Sequence, residues 1–283
     1  MYELVPNFEK YGQGYEVVIN SHGMRDEEPR NLDPLTSSCI AAIGDSFTFG
    51  HQVENQDVWN RRLEQMLDEN GLASERPVDV LNFGVSGYCT LDELAVLKHK
   101  GLAWKPDLVI VAYYLNDPED EPLQPLHAYF DEPQWWQHSH LLRLLKKRER
   151  DRGLRRYGHG DYNVFLHSHP EKWGRVVAAF EEMKRLTQAD GCELMLVVFP
   201  LAPETAWEEY KYAELHDQVA AAGQEAGMHV IDLLPHYKMH RPRSLRATSF
   251  DGHPSAMAHV VAATAITDYL SEHPELLVHR DER

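Results

Sequence analysis

The sequence has few cysteines, no long apolar run and no excess of basic residues. Three cysteines among 283 residues, with no Cys-x-x-Cys pair, argue against a disulfide framework and a zinc knuckle. No run approaches the roughly 18 apolar residues that cross a bilayer, and the acidic N-terminus does not resemble a signal peptide. We therefore expect a cytoplasmic protein without a membrane span, unless a leader has been removed. The net charge of −17 excludes general binding of nucleic acid, because the phosphates would be repelled.

The apolar residues, 43% of the chain, form short strand-like runs that alternate with stretches of helical spacing. This order predicts one domain (1–283) of the α/β class, in which a parallel sheet of five strands is covered by helices on both faces. The predicted strands are Cys39–Ile43, Val78–Val85, Asp107–Tyr114, Glu193–Phe199 and His229–Leu233, and the predicted helices are Trp59–Leu72, Leu91–Leu102, Trp173–Ala189, Glu204–Ala226 and Ser255–Leu270.

Two parts of the chain lie outside this alternation. The N-terminal extension (1–37) contains a short strand and turn, Val17–Asp26, to which we assign packing rather than chemistry. The insertion (118–169) follows the third strand and holds four prolines, so we expect it to be irregular.

Polar residues that can do chemistry follow the strands at one end of the predicted sheet. Ser46 ends a Gly-Asp-Ser sequence after the first strand, Asn116 follows the third strand, and Asp251 and His253 precede the last helix. Because ligands bind beyond the carboxyl ends of the strands in such a sheet, we expect these groups to converge. A hydroxyl, an imidazole, a carboxylate and N–H donors are the groups that acyl transfer through a serine requires.

Four motifs in this order resemble those of the SGNH or GDSL hydrolases and span most of the chain. The first motif, Gly-Asp-Ser, ends at Ser46. The second centres on a glycine, for which Gly87 fits better than Gly84. The third, Gly-x-Asn-Asp in the family, has Tyr114 in place of the glycine and retains Asn116.

The last motif of the family places an aspartate shortly before His-Pro. Here one residue separates Asp251 from His253, where many members have two. The resemblance implies a flavodoxin-like α/β/α sandwich and hydrolysis of a carboxylic ester of a small molecule or glycan, by an esterase, lipase or deacetylase without a cofactor. It implies that Ser46 is the nucleophile, His253 the base and Asp251 its carboxylate partner. It also implies an oxyanion hole formed by the N–H groups of Ser46 and Gly87 and by the side chain of Asn116.

Other interpretations of these residues stay open. Ser46 or Asp251 could cap a helix, Asn116 could belong to a turn, and Asp45 is expected to brace the loop. The same triad would serve an acyltransferase, and a catalytically silent module that binds carbohydrate or a partner is a further alternative. No metal site is expected, because pairs of nearby histidines lack a third ligand at a recognised interval. These pairs are His138 with His140, His167 with His169, and His236 with His240.

The insertion carries a basic stretch inside an acidic protein. Arg143–Arg156 contains eight basic residues against two acidic ones. A long loop that leaves the third strand at the predicted site suggests a lid, with Tyr114, Trp135 and Trp136 in contact with the substrate. The alternative is a solvated peripheral helix, in which the leucines of 141–145 pack inwards.

Overall fold

A computed structural model of the chain describes residues 2–12, 15–30, 38–72, 77–119 and 139–278. Within these residues the strands are β1 (Phe8–Gly12), β2 (Tyr15–Ile19), β3 (Ser38–Gly44), β4 (Val78–Gly84), β5 (Leu108–Tyr113), β6 (Glu193–Val198) and β7 (His229–Asp232). Strands β3 to β7 form one parallel sheet in the order β4-β3-β5-β6-β7. This is the strand order of flavodoxin-like folds, as predicted. Each predicted strand of this sheet ends within one residue of the observed strand.

Helices follow the strands of this sheet. The helices of the described residues are α1 (Ser46–Phe49), α2 (Trp59–Glu69), α3 (Thr90–His99), α4 (His140–Tyr157), α5 (Tyr162–Ser168), α6 (Pro170–Asp190), α7 (Ala213–Glu225), α8 (Leu234–Lys238) and α9 (Ala256–Glu272). None of them is both long enough and apolar enough to cross a lipid bilayer.

Both faces of the sheet are buried, which explains why its strands read as continuous apolar runs. In β3, Ile40 and Ala42 contact one core cluster, which includes residues of α2 and α9. Ala41 and Ile43 contact a second cluster, which includes residues of α3, α6 and α7. All four side chains are fully buried. The alternation along the strand therefore builds the three layers of the predicted sandwich.

The N-terminal extension forms an antiparallel hairpin of β1 and β2 followed by a turn. The Oδ1 atom of Asn20 accepts the N–H groups of His22 and Met24, both at 3.0 Å, and Gly23 adopts a positive φ of 78°. This turn places Arg25, which is fully buried, beside the loop that follows α1.

The predicted long helix Glu204–Ala226 is wrong in its first half. Helix α7 begins at Ala213, and the preceding residues include a 3₁₀ turn at Trp207–Glu209. Contacts with distant residues fix this segment. Trp207 Nε1 donates to the carbonyl of His240 at 2.7 Å, and the Tyr212 hydroxyl donates to Asp161 Oδ2 at 3.1 Å. The spacing of apolar residues along the sequence carries no information about such long-range contacts.

The insertion is not irregular in its described part. Helices α4 and α5 begin at polar caps, where the Ser139 hydroxyl accepts the N–H of Leu142 and Asp161 accepts the N–H of Val164. A peripheral helix is therefore observed, but three of the four leucines in 141–145 do not pack inwards, which contradicts that part of the expectation. Leu141, Leu144 and Leu145 are 64%, 45% and 49% exposed.

Candidate active site

Ser46 lies at the first position of α1, directly after β3. Asp45 Oδ1 accepts the N–H of Phe47 at 2.8 Å and so caps this short helix. Asp45 therefore braces the loop, as expected, and Ser46 is not the helix cap. Gly84 at the end of β4 lies against the backbone of Thr48 and Phe49, where a Cβ atom would collide. Its missing side chain lets α1 pack on the sheet.

Three of the predicted side chains form one continuous chain of hydrogen bonds. His253 Nε2 lies 2.9 Å from Ser46 Oγ, and His253 Nδ1 lies 2.5 Å from Asp251 Oδ1. Burial acts to raise the pKa of Asp251, but hydrogen bonds from the backbone and ring of His253 outweigh burial and lower this pKa. Asp251 is therefore an anion that can stabilise a positively charged imidazole.

The short spacing between Asp251 and His253 is compatible with this geometry. Asp251 Oδ1 accepts both the ring and, at 2.9 Å, the backbone N–H of His253, which closes a local turn. The carbonyl of His253 accepts the N–H of Ala247 at 2.8 Å and holds the residue from the other side. Asp251 does not cap α9. That cap is Ser255, whose side chain accepts the N–H of Ala258.

The hydrogen-bonded chain faces a cleft of about 340 Å³. Gly87 and Asn116, the two other predicted oxyanion donors, line the same cleft as Ser46. Gly87 has a φ of 84°, a conformation that favours glycine. Gly84, the alternative for the second motif, does not line the cleft. The lining residues are Ser46, Phe47, His51, Ser86, Gly87, Tyr114, Asn116, Leu201, Asp251, Gly252 and His253.

Tyr114, which replaces the family's glycine, forms a wall of this cleft. Its ring stacks on Phe47 with 3.9 Å between ring centroids, and Phe47 lies 5.8 Å from the ring of His253. The two aromatic rings therefore narrow the space beside Ser46. Trp135 and Trp136, also predicted to contact substrate, lie outside the described residues. The described part of the insertion contributes no lining residue, so the lid stays a prediction.

Two residues that the motifs did not indicate join the site just after α1. Gln52 Nε2 donates a hydrogen bond to Asp251 Oδ2. The ring of His51 lies 4.6 Å from the ring of His253. Burial and the neighbouring His253 lower the pKa of His51, so its imidazole is neutral at pH 7. In the sequence, the one indication of a role for Gln52 and His51 was that they lie close to Ser46. That closeness does not predict a contact with Asp251.

A second set of carboxyl groups lies on the side of Asp45, next to Ser46, and is buried. Asp45, Glu93 and Asp117 are at most 1% exposed. Burial raises the pKa of all three, and mutual repulsion raises the pKa of Glu93 and Asp117 further. Asp117 Oδ2 accepts the N–H of Tyr114 at 2.9 Å and so holds the turn that carries Asn116. Neither side-chain oxygen of Glu93 has a hydrogen-bond partner among the described residues.

A metal ion at this site would have to compete with the hydrogen bonds that its potential ligands already form with one another. Among the described residues, the group of three potential ligands close enough to share an ion is His51, Asp251 and His253, whose ligand atoms lie within 4.8 Å of one another. Two of these side chains already bind each other, and His253 also binds Ser46. This arrangement fits proton transfer to and from Ser46.

Comparison with known protein families identifies the family of the chain. The model of the GDSL-like lipase/acylhydrolase family matches residues 42–261, a stretch that contains all four motifs. The chain therefore belongs to this family, as the motifs predicted, and family membership supports a hydrolase that acts on esters. No curated protein matches the chain.

Solved structures of low sequence identity share the fold. A lipase/acylhydrolase from Enterococcus faecalis is 19% identical, with a TM-score of 0.51 over 83% of this chain and 96% of its own. An α/β hydrolase from the metagenome of Lake Arreo, Spain, is 16% identical, with a TM-score of 0.53 over 85% and 96%. An acetylxylan esterase from Geobacillus stearothermophilus is 18% identical, with a TM-score of 0.50 over 82% and 94%. These likenesses concern the fold.

Proposed function

We propose that the protein hydrolyses a carboxylic ester through an acyl-enzyme on Ser46. The observation that carries this proposal is the chain of hydrogen bonds from Ser46 Oγ through His253 to Asp251, with distances of 2.9 and 2.5 Å. Acyl transfer requires a nucleophile within reach of a base, and the base must be oriented by a third group. The family to which the chain belongs supports the same reaction class.

In the proposed reaction, Ser46 Oγ attacks the ester carbonyl while His253 Nε2 accepts the hydroxyl proton. Asp251 orients the imidazole and stabilises its positive charge. The N–H groups of Ser46 and Gly87 and the side chain of Asn116 hold the oxyanion. His253 then protonates the departing alcohol. A water molecule attacks the acyl-enzyme with the same base, which releases the acid and restores Ser46.

We further propose that the acyl group is short. The stacked rings of Phe47 and Tyr114 stand beside Ser46, and a cleft of about 340 Å³ is at the lower end of the range for ligand pockets. An acetyl ester of a small molecule or glycan suits such a site. One protein of similar fold is an acetylxylan esterase, which is in keeping with this substrate class.

Hydrolysis of p-nitrophenyl acetate, together with labelling by a fluorophosphonate, tests the proposal. We expect the label on Ser46 and no label or hydrolysis in Ser46→Ala, which should unfold at the same temperature as the wild type. A folded wild-type protein that neither labels nor hydrolyses the ester would contradict the mechanism and favour a silent binding module. Added acceptor alcohols separate the remaining alternative, because an acyltransferase would convert them to esters faster than it releases free acid.

A further inference from the structure

Gln52 has a backbone conformation that residues with side chains rarely adopt. Its φ is 68°, in the left-handed region where glycine is favoured. Residues held in such regions persist when the surrounding structure fixes them, and they cluster at active sites. The identity of this side chain therefore calls for a physical reason.

The side chain of Gln52 completes the hydrogen bonding of the triad carboxylate. Asp251 Oδ1 accepts both bonds from His253, and Asp251 Oδ2 accepts the amide of Gln52. With both oxygens engaged, the carboxylate cannot rotate about its terminal bond without losing a donor. The side chain of Asp251 is 29% exposed, so without Gln52 its second oxygen would turn to water.

The loop that carries Gln52 is held from inside the protein by Arg25. Arg25 is 1% exposed, and its guanidinium donates to the carbonyls of Phe49 at 2.8 Å, of Gly50, and of Val53 at 2.5 Å. These carbonyls lie on both sides of Gln52 in sequence. The N-terminal extension thereby fixes the backbone from which the amide reaches Asp251.

We propose that Gln52 is a positioning residue that acts through Asp251 and keeps its carboxylate in line with the ring of His253. This inference rests on the proposed function, since it assigns Asp251 and His253 their roles in the triad. The effect falls on the chemical step, because Gln52 is not among the residues that line the cleft.

Gln52→Gly removes the amide and accepts the positive φ without strain. We expect kcat for p-nitrophenyl acetate to fall roughly ten-fold with an unchanged KM, because a misaligned base slows proton transfer. The unfolding temperature should be equal or higher.

Two further variants separate the side chain from the backbone. Gln52→Asn keeps an amide and tolerates the same φ, but it is one methylene too short to reach Asp251, so it should behave like Gln52→Gly. Lys105 has a positive φ of 50° before β5, at the opposite edge of the sheet, and Lys105→Gly should leave kcat unchanged.

The outcomes distinguish this inference from the proposed function. Ester hydrolysis and Ser46 labelling by the wild type test the proposed function by themselves. With an active wild type, the inference is overturned by a kcat of Gln52→Gly close to that of the wild type, or by a loss confined to KM or to the unfolding temperature.

Discussion

Two sets of carboxyl groups lie around Ser46, and they ionise in opposite ways. Asp251 is partly exposed and accepts hydrogen bonds from His253 and Gln52, and its pKa is lowered. Glu93 and Asp117 are buried among other acids, and their pKa is raised well above the ordinary value. The pKa of each carboxyl group therefore depends on its hydrogen-bond donors and on its access to water, and not on its distance from Ser46.

This difference separates two tasks within one site. In the proposed reaction, the anion of Asp251 stabilises the charge that appears on His253 when Ser46 loses its proton. Asp117, whose pKa is raised, instead accepts the backbone N–H of Tyr114 and holds the turn that presents Asn116. Replacing a carboxyl group by the amide of the same shape should therefore have very different effects in the two sets.

Asp251→Asn should have the largest effect, because it removes the negative charge of the partly exposed carboxylate. We expect kcat for ester hydrolysis to fall roughly a thousand-fold with little change in the unfolding temperature. Asp117→Asn is the matched control. It replaces an acid whose pKa is raised by an amide that can still accept the N–H of Tyr114, so most of the activity should remain. Equal losses in the two variants would break the comparison.

Glu93→Gln should have the next largest effect and acts on stability. Burial and the neighbouring Asp45 raise the pKa of Glu93, so the folded protein keeps a proton that the unfolded chain releases above its ordinary pKa of 4.5. Wild-type stability therefore falls as the pH rises, by about 1.4 kcal/mol per pH unit while this difference lasts. The variant lacks this titration. Its advantage in Tm should grow as the pH rises above about 5, by roughly 2–4 °C per unit, until the pH reaches the raised pKa of Glu93.

Glu69→Gln provides the control for this pH series. Glu69 ends α2 and is exposed. Its substitution should shift Tm by the same small amount at each pH. A flat difference for Glu93→Gln as well would show that Glu93 is ionised in the folded protein.

Tyr114→Ala should have the smallest effect. It leaves both sets of carboxyl groups unchanged and tests the wall of the cleft. Removing the ring that stacks on Phe47 opens the cleft beside Ser46. We expect the ratio of kcat/KM for p-nitrophenyl hexanoate to that for the acetate to rise roughly ten-fold. Tyr114→Phe keeps the ring and should keep the ratio. A ratio unchanged by Tyr114→Ala would mean that the acyl group lies elsewhere.

Residues close together in sequence were the most predictable part of the site. Asp251 and His253 are two positions apart, and the turn that joins them is built from their own atoms. The second motif favoured Gly87 over Gly84, and Gly87 is the glycine that lines the cleft. The strands were equally predictable, because a strand buried on both faces must be a continuous apolar run.

Residues whose role depends on a distant partner escaped prediction. Gln52 contacts a carboxylate 199 positions later, and nothing in its own neighbourhood indicates that contact. Glu93 lies in a helix where an acid would ordinarily face water, yet it is fully buried. The segment before α7 has helical spacing, but its side chains bind distant groups such as the carbonyl of His240.

The sequence by itself determined the sheet, the order of the motifs and the position of Ser46, Asp251 and His253 within those motifs, because apolar periodicity and short motifs are local properties. The tertiary structure alone decided which carboxyl groups have a raised or lowered pKa and which side chain donates to the second oxygen of Asp251. Those outcomes depend on burial and on donors from distant parts of the chain, and both exist only once the chain has folded.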